Sequence, residues 1–561
     1  MEQARGRRHL DFTKLFADSF DLVVIGAGAL GSAMAWEAAS RGLRVALLEK
    51  NDFGAGTSAN SLRIVHGGLR YLQSMDILRA RASAGERSTF LRIAPHLVTP
   101  IECVMPTLTS WKRGRTAMAC GLAANAFLTL DRNWGLDRQR RLPAGGLISR
   151  RELAERAAGI DLSGATGGAR WFDAVMLDPE RLCLSFALSA RNAGAAVFNH
   201  MEATEVLQHK GRVRGVLTRD NITRQIHEIR TKVVADCRGP WIGKASGSPP
   251  TGQFADTGAY IKAVNLVLET PDLGCAVGFP ARSKRGEPIT GRLFFATPFH
   301  GATAVGTWYF ETREAPDETS LSDDELEIIL RDVTRACPAW SPKRSSVTAV
   351  HIGLQPMDTN VRSASPAAID RPIIVGASNG SGMNGLWQLQ TEKWTTARRL
   401  AEHVLNRIST IEEIRIRPSA TRKRRLYGGE FESLEVLAAD ANRSAGSTLS
   451  SEQVSRVVNR YGQQALDILA RMRAEPSLAK SLPGSPQVIA AELTHALEHE
   501  MPETLEDLML RRLGLGATTC PPGPAIDSAA AIMGEHFDWT TGQIQENKAA
   551  VRHHRRYRDA V

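Results

Sequence analysis

Hydrophobic and polar positions fall into blocks along this chain, and the sharpest change comes at Asp21. Residues 1–20 are polar and basic, lack the apolar core of a signal peptide, and read as a short extension. Asp21-Leu-Val-Val-Ile25 is then an unbroken apolar run, the pattern of a parallel strand buried on both faces. Gly26-Ala-Gly28-Ala-Leu-Gly31 leads into a helix-compatible stretch that Gly42 would end, and Arg44-Val-Ala-Leu-Leu48 is a second strand closed by Glu49. The pattern predicts a βαβ unit. Farther on it predicts a helix over 180–193, a hairpin over 204–218, a strand over 231–237, and alternating segments between 261 and 355 that include Thr303–Trp308 and Arg344–His351. Residues 408–430 turn polar and basic and read as a linker, and helical patterns follow at 450–472, 486–513 and 526–537. No internal repeat or low-complexity stretch interrupts this order. The expected fold is an α/β domain with a β-rich insertion, then a separate helical domain.

Composition narrows the class. With 561 residues, 43% hydrophobic and 23% charged, the chain has globular proportions and room for two to four domains. It contains no apolar run of the roughly 18–20 residues that crosses a bilayer. Seven scattered cysteines without a CxxC pair fit a reducing compartment and neither a disulfide framework nor a zinc module. The net charge of +10 is unevenly placed. Between 111 and 141 stand Lys112, Arg113, Arg115, Arg132, Arg138, Arg140 and Arg141 against Asp131 and Asp137, and a second basic run spans Arg552–Arg558. The first run flanks an uncharged stretch from Thr116 to Leu130, which reads either as a buried core helix or as an interfacial element on anionic headgroups. Nucleic acid is excluded as a partner, because no zinc finger, RNP-like strand or helix-turn-helix pattern accompanies the charge.

The glycine motif carries the first chemistry. Gly26 permits a tight turn, Gly28 lets a pyrophosphate approach the backbone, and Gly31 lets helix and strand pack closely. Glu49, 18 residues past Gly31, is placed to accept from an adenosine ribose. This much does not separate FAD from NAD. The next segment, Thr57-Ser58-Ala-Asn-Ser61-Leu-Arg63-Ile-Val-His66-Gly67-Gly68-Leu-Arg70-Tyr71-Leu72, is dense in hydroxyls, glycines and cations that could follow a long cofactor.

That segment closely resembles the T-S-x-x-S-x-K/R-x-x-H-G-G-x-R-Y-L loop of the FAD-dependent glycerol-3-phosphate dehydrogenases. The resemblance continues in order along about residues 20–540: Asp173 with Asp178-Pro-Glu-Arg181, then Val234-Ala-Asp236-Cys-Arg-Gly239-Pro240-Trp241, then Lys393-Trp394-Thr395-Thr396-Ala-Arg398, and His499-Glu-Met501 through Arg511-Arg512. It implies an α/β protein with a Rossmann-type FAD-binding domain similar to D-amino-acid oxidase (21–110, 170–260 and 356–407), a β-rich substrate or cap region (111–169 and 261–355), and a helical C-terminal domain (431–561) after the linker. The activity implied is oxidation of the secondary alcohol of glycerol 3-phosphate, or a related polyol phosphate, with electrons passed to membrane quinone. The implied location is cytoplasmic, peripheral on the inner face of the cell membrane, with a homodimer left open. Gly26, Gly28, Gly31, Glu49, Thr57, Ser58, Ser61, Arg63, His66, Gly67, Gly68, Val206, Gly239, Lys393, Trp394 and Thr395 are then expected at FAD. Arg70, Tyr71, His66, Arg371 and Lys393 are expected at the reacting centre.

Three departures from the family pattern bear on the substrate. Asn265 in Lys262-Ala-Val-Asn265 replaces an active-site histidine. Gln355 in His351-Ile-Gly-Leu-Gln355-Pro replaces a phosphate-gripping arginine, with His351 nearby as a candidate base or donor. Thr391-Glu392 replaces Gly-Gly before Lys393. They point to a divergent member. Two other readings stay open: a same-fold oxidase or dehydrogenase acting on an amine or another alcohol with oxygen, and a basic surface-binding protein that keeps the flavin fold without turnover.

Overall fold

The computed structural model describes Phe16 and residues 18–72, 74–109, 113–242, 259–270, 273–283, 287–356, 372–376, 382–391 and 393–558. Lys112, Arg371 and Glu392, all singled out above, lie outside the described residues.

Leu22–Ile25 (β1), Ala29–Ser40 (α1) and Val45–Leu48 (β2) form the βαβ unit. The two strands are parallel, with Val23 opposite Ala46 and Ile25 opposite Leu48, and every residue of both is buried. Burial on both faces is why they read as unbroken apolar runs. Gly42, at φ +93°, closes α1 in the left-handed region that suits glycine. Val234–Asp236 lies parallel on the other side of β1, and among the described residues the six-stranded order is 373–375, 386–390, 234–236, β1, β2, 196–198. The chain thus returns to this sheet three times after leaving it.

Among the described residues the second sheet has nine strands and includes the long strands Val98–Leu108 and Ala165–Met176, which pair with each other from Val98 opposite Met176 onward. By the sequence boundaries (21–110 and 170–260) most of these residues belong with the cofactor domain. Their hydrogen bonds put them elsewhere: Cys103 and Val104 pair with Ala276 and Val277, so they extend the sheet of 260–356. Which strands pair across such distances is a property of the folded backbone that local periodicity does not carry.

Two more expectations change. The 408–430 segment is no loose tether: Arg41 Nε donates to the Arg417 carbonyl at 2.5 Å, Thr421 is fully buried, and Leu426 and Tyr427 enter the core of the first domain. The helix expected over 486–513 is three pieces, a strand at Ser485–Ile489, a helix at Ala490–His499 and a π-helical turn at Asp507–Arg512. Met501 at φ +55° and Pro502, which cannot continue a helix, break it.

The helical region is held to the cofactor sheet by buried ion pairs. Arg181 donates to both carboxylate oxygens of Glu500, at 2.5 and 2.6 Å, with both side chains essentially inaccessible. Asp178 pairs with Arg460 at 2.5 Å, and Asp52 receives Arg511 and Arg512. Asp178 and Arg181 are therefore ties between domains. The uncharged 116–130 stretch is also settled as to burial. Its helix, Arg115–Leu128, buries only Met118 and Leu122, while Phe127, Leu130 and Trp134 are 74%, 71% and 75% exposed. A buried core helix is excluded. No helix among the described residues is long and apolar enough to cross a membrane.

Candidate active site

The glycine-rich turn between β1 and α1 leaves no space for side chains. A Cβ on Gly28 would stand 2.9 Å from Ser58 Oγ, and one on Gly31 would stand 1.8 Å from the Gly26 carbonyl oxygen. Gly26 itself takes φ +91°. At the end of β2, Glu49 accepts from Ala27 N at 2.7 Å and from Asn51 N at 3.0 Å. Burial raises its pKa, and those two N–H groups oppose the shift. No acidic side chain occupies the first turn of α1, so its N-terminus keeps the positive potential that an anion requires.

The segment that follows is built around this turn. Thr57–Asn60 is a single 3-10 turn. Ser58 Oγ accepts from Ala29 N at 2.9 Å, and the Ser58 carbonyl accepts from Trp394 Nε1 at 2.9 Å. Thr57 Oγ1 donates to the Leu354 carbonyl and accepts from Leu354 N, both at 3.0 Å, which ties the turn to the second sheet beside Gln355. Ser61 Oγ accepts from Arg63 N at 3.3 Å. Arg63, at φ +67°, lays its guanidinium 3.3 Å over the Phe299 ring and leaves Nε and Nη2 without a hydrogen-bond partner among the described residues. Burial lowers its pKa to about 10. Trp394 and Thr395 are buried, and Gly239 takes φ +59° just after the Asp236–Arg238 ion pair of 2.7 Å. Val206 is paired with Val216 and buries its side chain in the core with Ile25 and Leu48, so its side chain is packing.

A second cluster stands on Asp173. Its Oδ1 accepts from Gly67 N at 2.7 Å and from Arg87 Nη1 at 2.8 Å, while Oδ2 accepts from Trp171 Nε1 at 3.1 Å and lies 3.2 Å from His66 Nδ1. Gly67 is required here, because a Cβ would stand 2.1 Å from Arg87 Nη1, and Gly68 takes φ +86°. Burial pushes the Asp173 pKa up, but His66 and Arg87 outweigh it and hold the carboxyl well below its usual range. Lys393 Nζ donates to Tyr71 Oη at 3.0 Å and to Ser83 Oγ at 2.8 Å, and lies 4.5 Å from the centre of the Tyr71 ring. Arg70 is exposed, with its guanidinium 5.5 Å from the same ring. The structure thus brings Arg70, Tyr71 and Lys393 together from positions 322 residues apart in the chain.

The residues at and beside the departures sit differently; Gln355 is half-buried opposite Ile261 in the ladder. Asn265 is buried, donates from Nδ2 to the Asn60 carbonyl at 3.2 Å and accepts from Thr307 Oγ1 at 2.7 Å. Both ends of its amide are committed to protein partners, which makes it a brace. His351, opposite Asn265 across the ladder, is buried with Nε2 3.3 Å from the Ala517 carbonyl of the helical region. Burial, then Arg556 and Arg63, drive its pKa well below the usual value, so it is neutral, and as a base or donor to substrate it is poorly placed. Thr391 Oγ1 donates to the Lys393 carbonyl at 3.0 Å and so shapes the turn that presents that lysine.

A family model of FAD dependent oxidoreductases matches residues 21–389, and one for the C-terminal domain of alpha-glycerophosphate oxidase matches 419–544. The chain belongs to the FAD-dependent oxidoreductase family. It is 28% identical to a glycerol-3-phosphate dehydrogenase of Synechocystis sp., covering 96% of each chain, and 26% identical to the aerobic glycerol-3-phosphate dehydrogenase of Bacillus subtilis, covering 95% of this chain and 94% of that one. Its fold is similar to that of the glycerol-3-phosphate dehydrogenase from Bacillus halodurans complexed with FAD, at a TM-score of 0.76 and 22% identity over 99% of this chain and 98% of the other. FAD is therefore the cofactor, and the glycine turn, the acid-free start of α1 and Glu49 fit its pyrophosphate and ribose.

Sequence reasoning missed Ser83, Arg87 and Trp171, whose only signal is proximity in space. It also missed a contact between domains beside the cofactor turn: Asp317 receives Lys50 Nζ and Trp241 Nε1, each at 3.0 Å. Lys50 follows Glu49 directly, so this pair ties the second sheet's connection to the ribose end of the FAD-binding turn.

Proposed function

We propose that this flavoprotein oxidises the secondary hydroxyl of glycerol 3-phosphate, or of a closely related polyol phosphate, to the ketone and passes the electrons to membrane quinone. The observation that supports it most is the Lys393–Tyr71–Ser83 cluster with Arg70 on its rim, in a chain matched over nearly its whole length by relatives named glycerol-3-phosphate dehydrogenase. FAD, when bound, supplies the redox chemistry. Lys393 and Arg70 supply the cationic contacts that a phosphomonoester needs, and Tyr71 orients the substrate by hydrogen bonding. The ionised Asp173 holds His66 Nδ1 as a donor, which leaves Nε2 as the acceptor for the hydroxyl proton. Asp173 also keeps the ring in one orientation, so proton transfer needs no rearrangement. With Gln355 where the family pattern has a charged phosphate contact, the substrate's phosphate is gripped by one cation fewer, a difference of about 1.5–3 kcal/mol.

Anaerobic bleaching of the flavin across a panel of polyol phosphates tests the reading. Glycerol 3-phosphate or a near analogue should bleach it, and Gln355→Arg should raise turnover with glycerol 3-phosphate. Bleaching by an amine or an unphosphorylated alcohol alone would overturn it. Comparing peroxide release with quinone reduction decides the acceptor.

The exposed apolar side chains support docking on an anionic membrane surface. Met75, 77% exposed, stands in the turn before helix 77–93 and Leu78, 85% exposed, in its first turn; the Arg81–Asp131 ion pair of 2.5 Å joins this helix to the segment bearing Phe127, Leu130 and Trp134. Arg138 and Arg141 are exposed nearby in the chain. Serine at both Phe127 and Trp134 should reduce co-sedimentation with anionic vesicles, and unchanged binding would refute the docking face.

A further inference from the structure

The basic run at 552–558 has no part in the proposed chemistry, yet one of its cations is buried deep between domains. Arg556 is 5% exposed. Its Nη2 donates to Glu180 Oε1 at 2.8 Å and its Nε to Asn60 Oδ1 at 3.2 Å. Glu180 is itself buried, in the first turn of helix 179–192. Asn60 ends the 3-10 turn whose Ser58 meets α1 at the glycine cradle, and its carbonyl accepts from Asn265. Its Nδ2 donates to the Gly56 carbonyl at 3.0 Å, so the side chain is held from both sides. The short helix that carries Arg556 is in turn fixed to the helical region. Tyr557 Oη donates to the Gly516 carbonyl at 2.8 Å, and His554 Nε2 lies 3.2 Å from Glu506. The helix itself, Arg555–Arg558, lies beyond residue 544, where the match to the C-terminal family model ends.

We infer that Arg556 is a positioning residue for FAD: the arm that carries it reaches from the helical region and holds the 57–60 turn closed over the cofactor's pyrophosphate end. A planar guanidinium spans the carboxylate and the amide at once, which a lysine ammonium cannot do with the same geometry. The turn has only four residues and is followed three positions on by the left-handed Arg63. It therefore depends on outside contacts for its shape: Leu354 and Asn265 supply them from the second sheet, and Arg556 supplies one from the helical region.

The test is the rate of FAD release from diluted holoenzyme, followed by flavin fluorescence, with the thermal midpoint of each variant measured alongside. Arg556→Gln and Asn60→Ala should speed release about tenfold, the least expected from losing one charge-assisted hydrogen bond. Arg556→Lys should fall between them and the parent. Asn60→Asp, which keeps the acceptor, should release slowly. Arg456→Gln breaks a largely buried pair with Glu492 that lies wholly within the helical region, and should lower the midpoint without speeding release. Unchanged release from Arg556→Gln and Asn60→Ala overturns the inference. So does release from Arg456→Gln or Asn60→Asp as fast as from those two. If Arg556→Gln does not fold, the two Asn60 variants decide, because both leave the Arg556–Glu180 pair in place.

Discussion

Replacing Asp173 with asparagine removes one charge and changes almost no volume, so its consequences can be worked from the geometry. The carboxylate faces four donors: Gly67 N and Arg87 Nη1 on one oxygen, Trp171 Nε1 and His66 Nδ1 on the other. An amide offers one oxygen, so either orientation turns its NH2 toward two of those donors. Arg87 is 3% exposed and loses its counter-charge, which for a buried pair costs about 3–5 kcal/mol. The bond from Arg87 to the Phe172 carbonyl at 2.9 Å survives and places the loss toward the lower end. If the NH2 faces His66, the imidazole takes the tautomer with its proton on Nε2 and can no longer accept one there. Loss of a general base slows the step by about 10²–10⁴-fold. The assays are thermal unfolding of the holoenzyme and anaerobic stopped-flow reduction of the flavin by substrate. A variant with unchanged midpoint and unchanged reduction rate would refute both the buried-charge argument and the role given to His66.

The other predictions are narrower. Because His66 and Arg87 hold Asp173, and Arg181 holds Glu500, below the usual carboxylate range against the opposing effect of burial, their contribution to stability is full above about pH 4 and is lost as pH falls below it; thermal midpoints measured across that window should drop, and less steeply in Asp173→Asn. Glu500→Gln leaves Arg181 buried without its charge partner and should cost about 3–5 kcal/mol by chemical denaturation, with the helical region released first; an effect near zero would mean that the pair does not tie the domains. Gly28→Ala sets a methyl 2.9 Å from Ser58 Oγ and should abolish retention of FAD through purification, read as the ratio of flavin to protein absorbance. Asp317→Asn, whose carboxylate is 62% exposed, should change stability by less than about 1 kcal/mol despite three contacts at 3.0 Å, and a large loss would show that the tie is stronger than exposure allows.

What the amino-acid sequence determined by itself was whatever depends on neighbours along the chain. The apolar run 21–25, the spaced glycines 26, 28 and 31, and Glu49 specify a dinucleotide-binding turn, because strand, turn and helix are formed by residues within about thirty positions of each other. The ordered motifs extended that to FAD. The tertiary structure alone decided which of the polar residues meet. His66 and Asp173 are 107 positions apart, Lys393 and Tyr71 322, and Arg556 and Asn60 496. No local period encodes such pairings. It also decided burial, which separated residues that look alike in the sequence. His351 is sealed against the helical region while His66 is half-exposed, and Arg140 is buried on the Pro95 carbonyl while Arg138 and Arg141 stay in solvent. The helix 115–128, uncharged after Arg115, was ambiguous for the same reason. Its residues are equally compatible with a core or a surface, and only the elements packed beside it, which cover Met118 and Leu122 and leave Phe127 bare, fix which one it has.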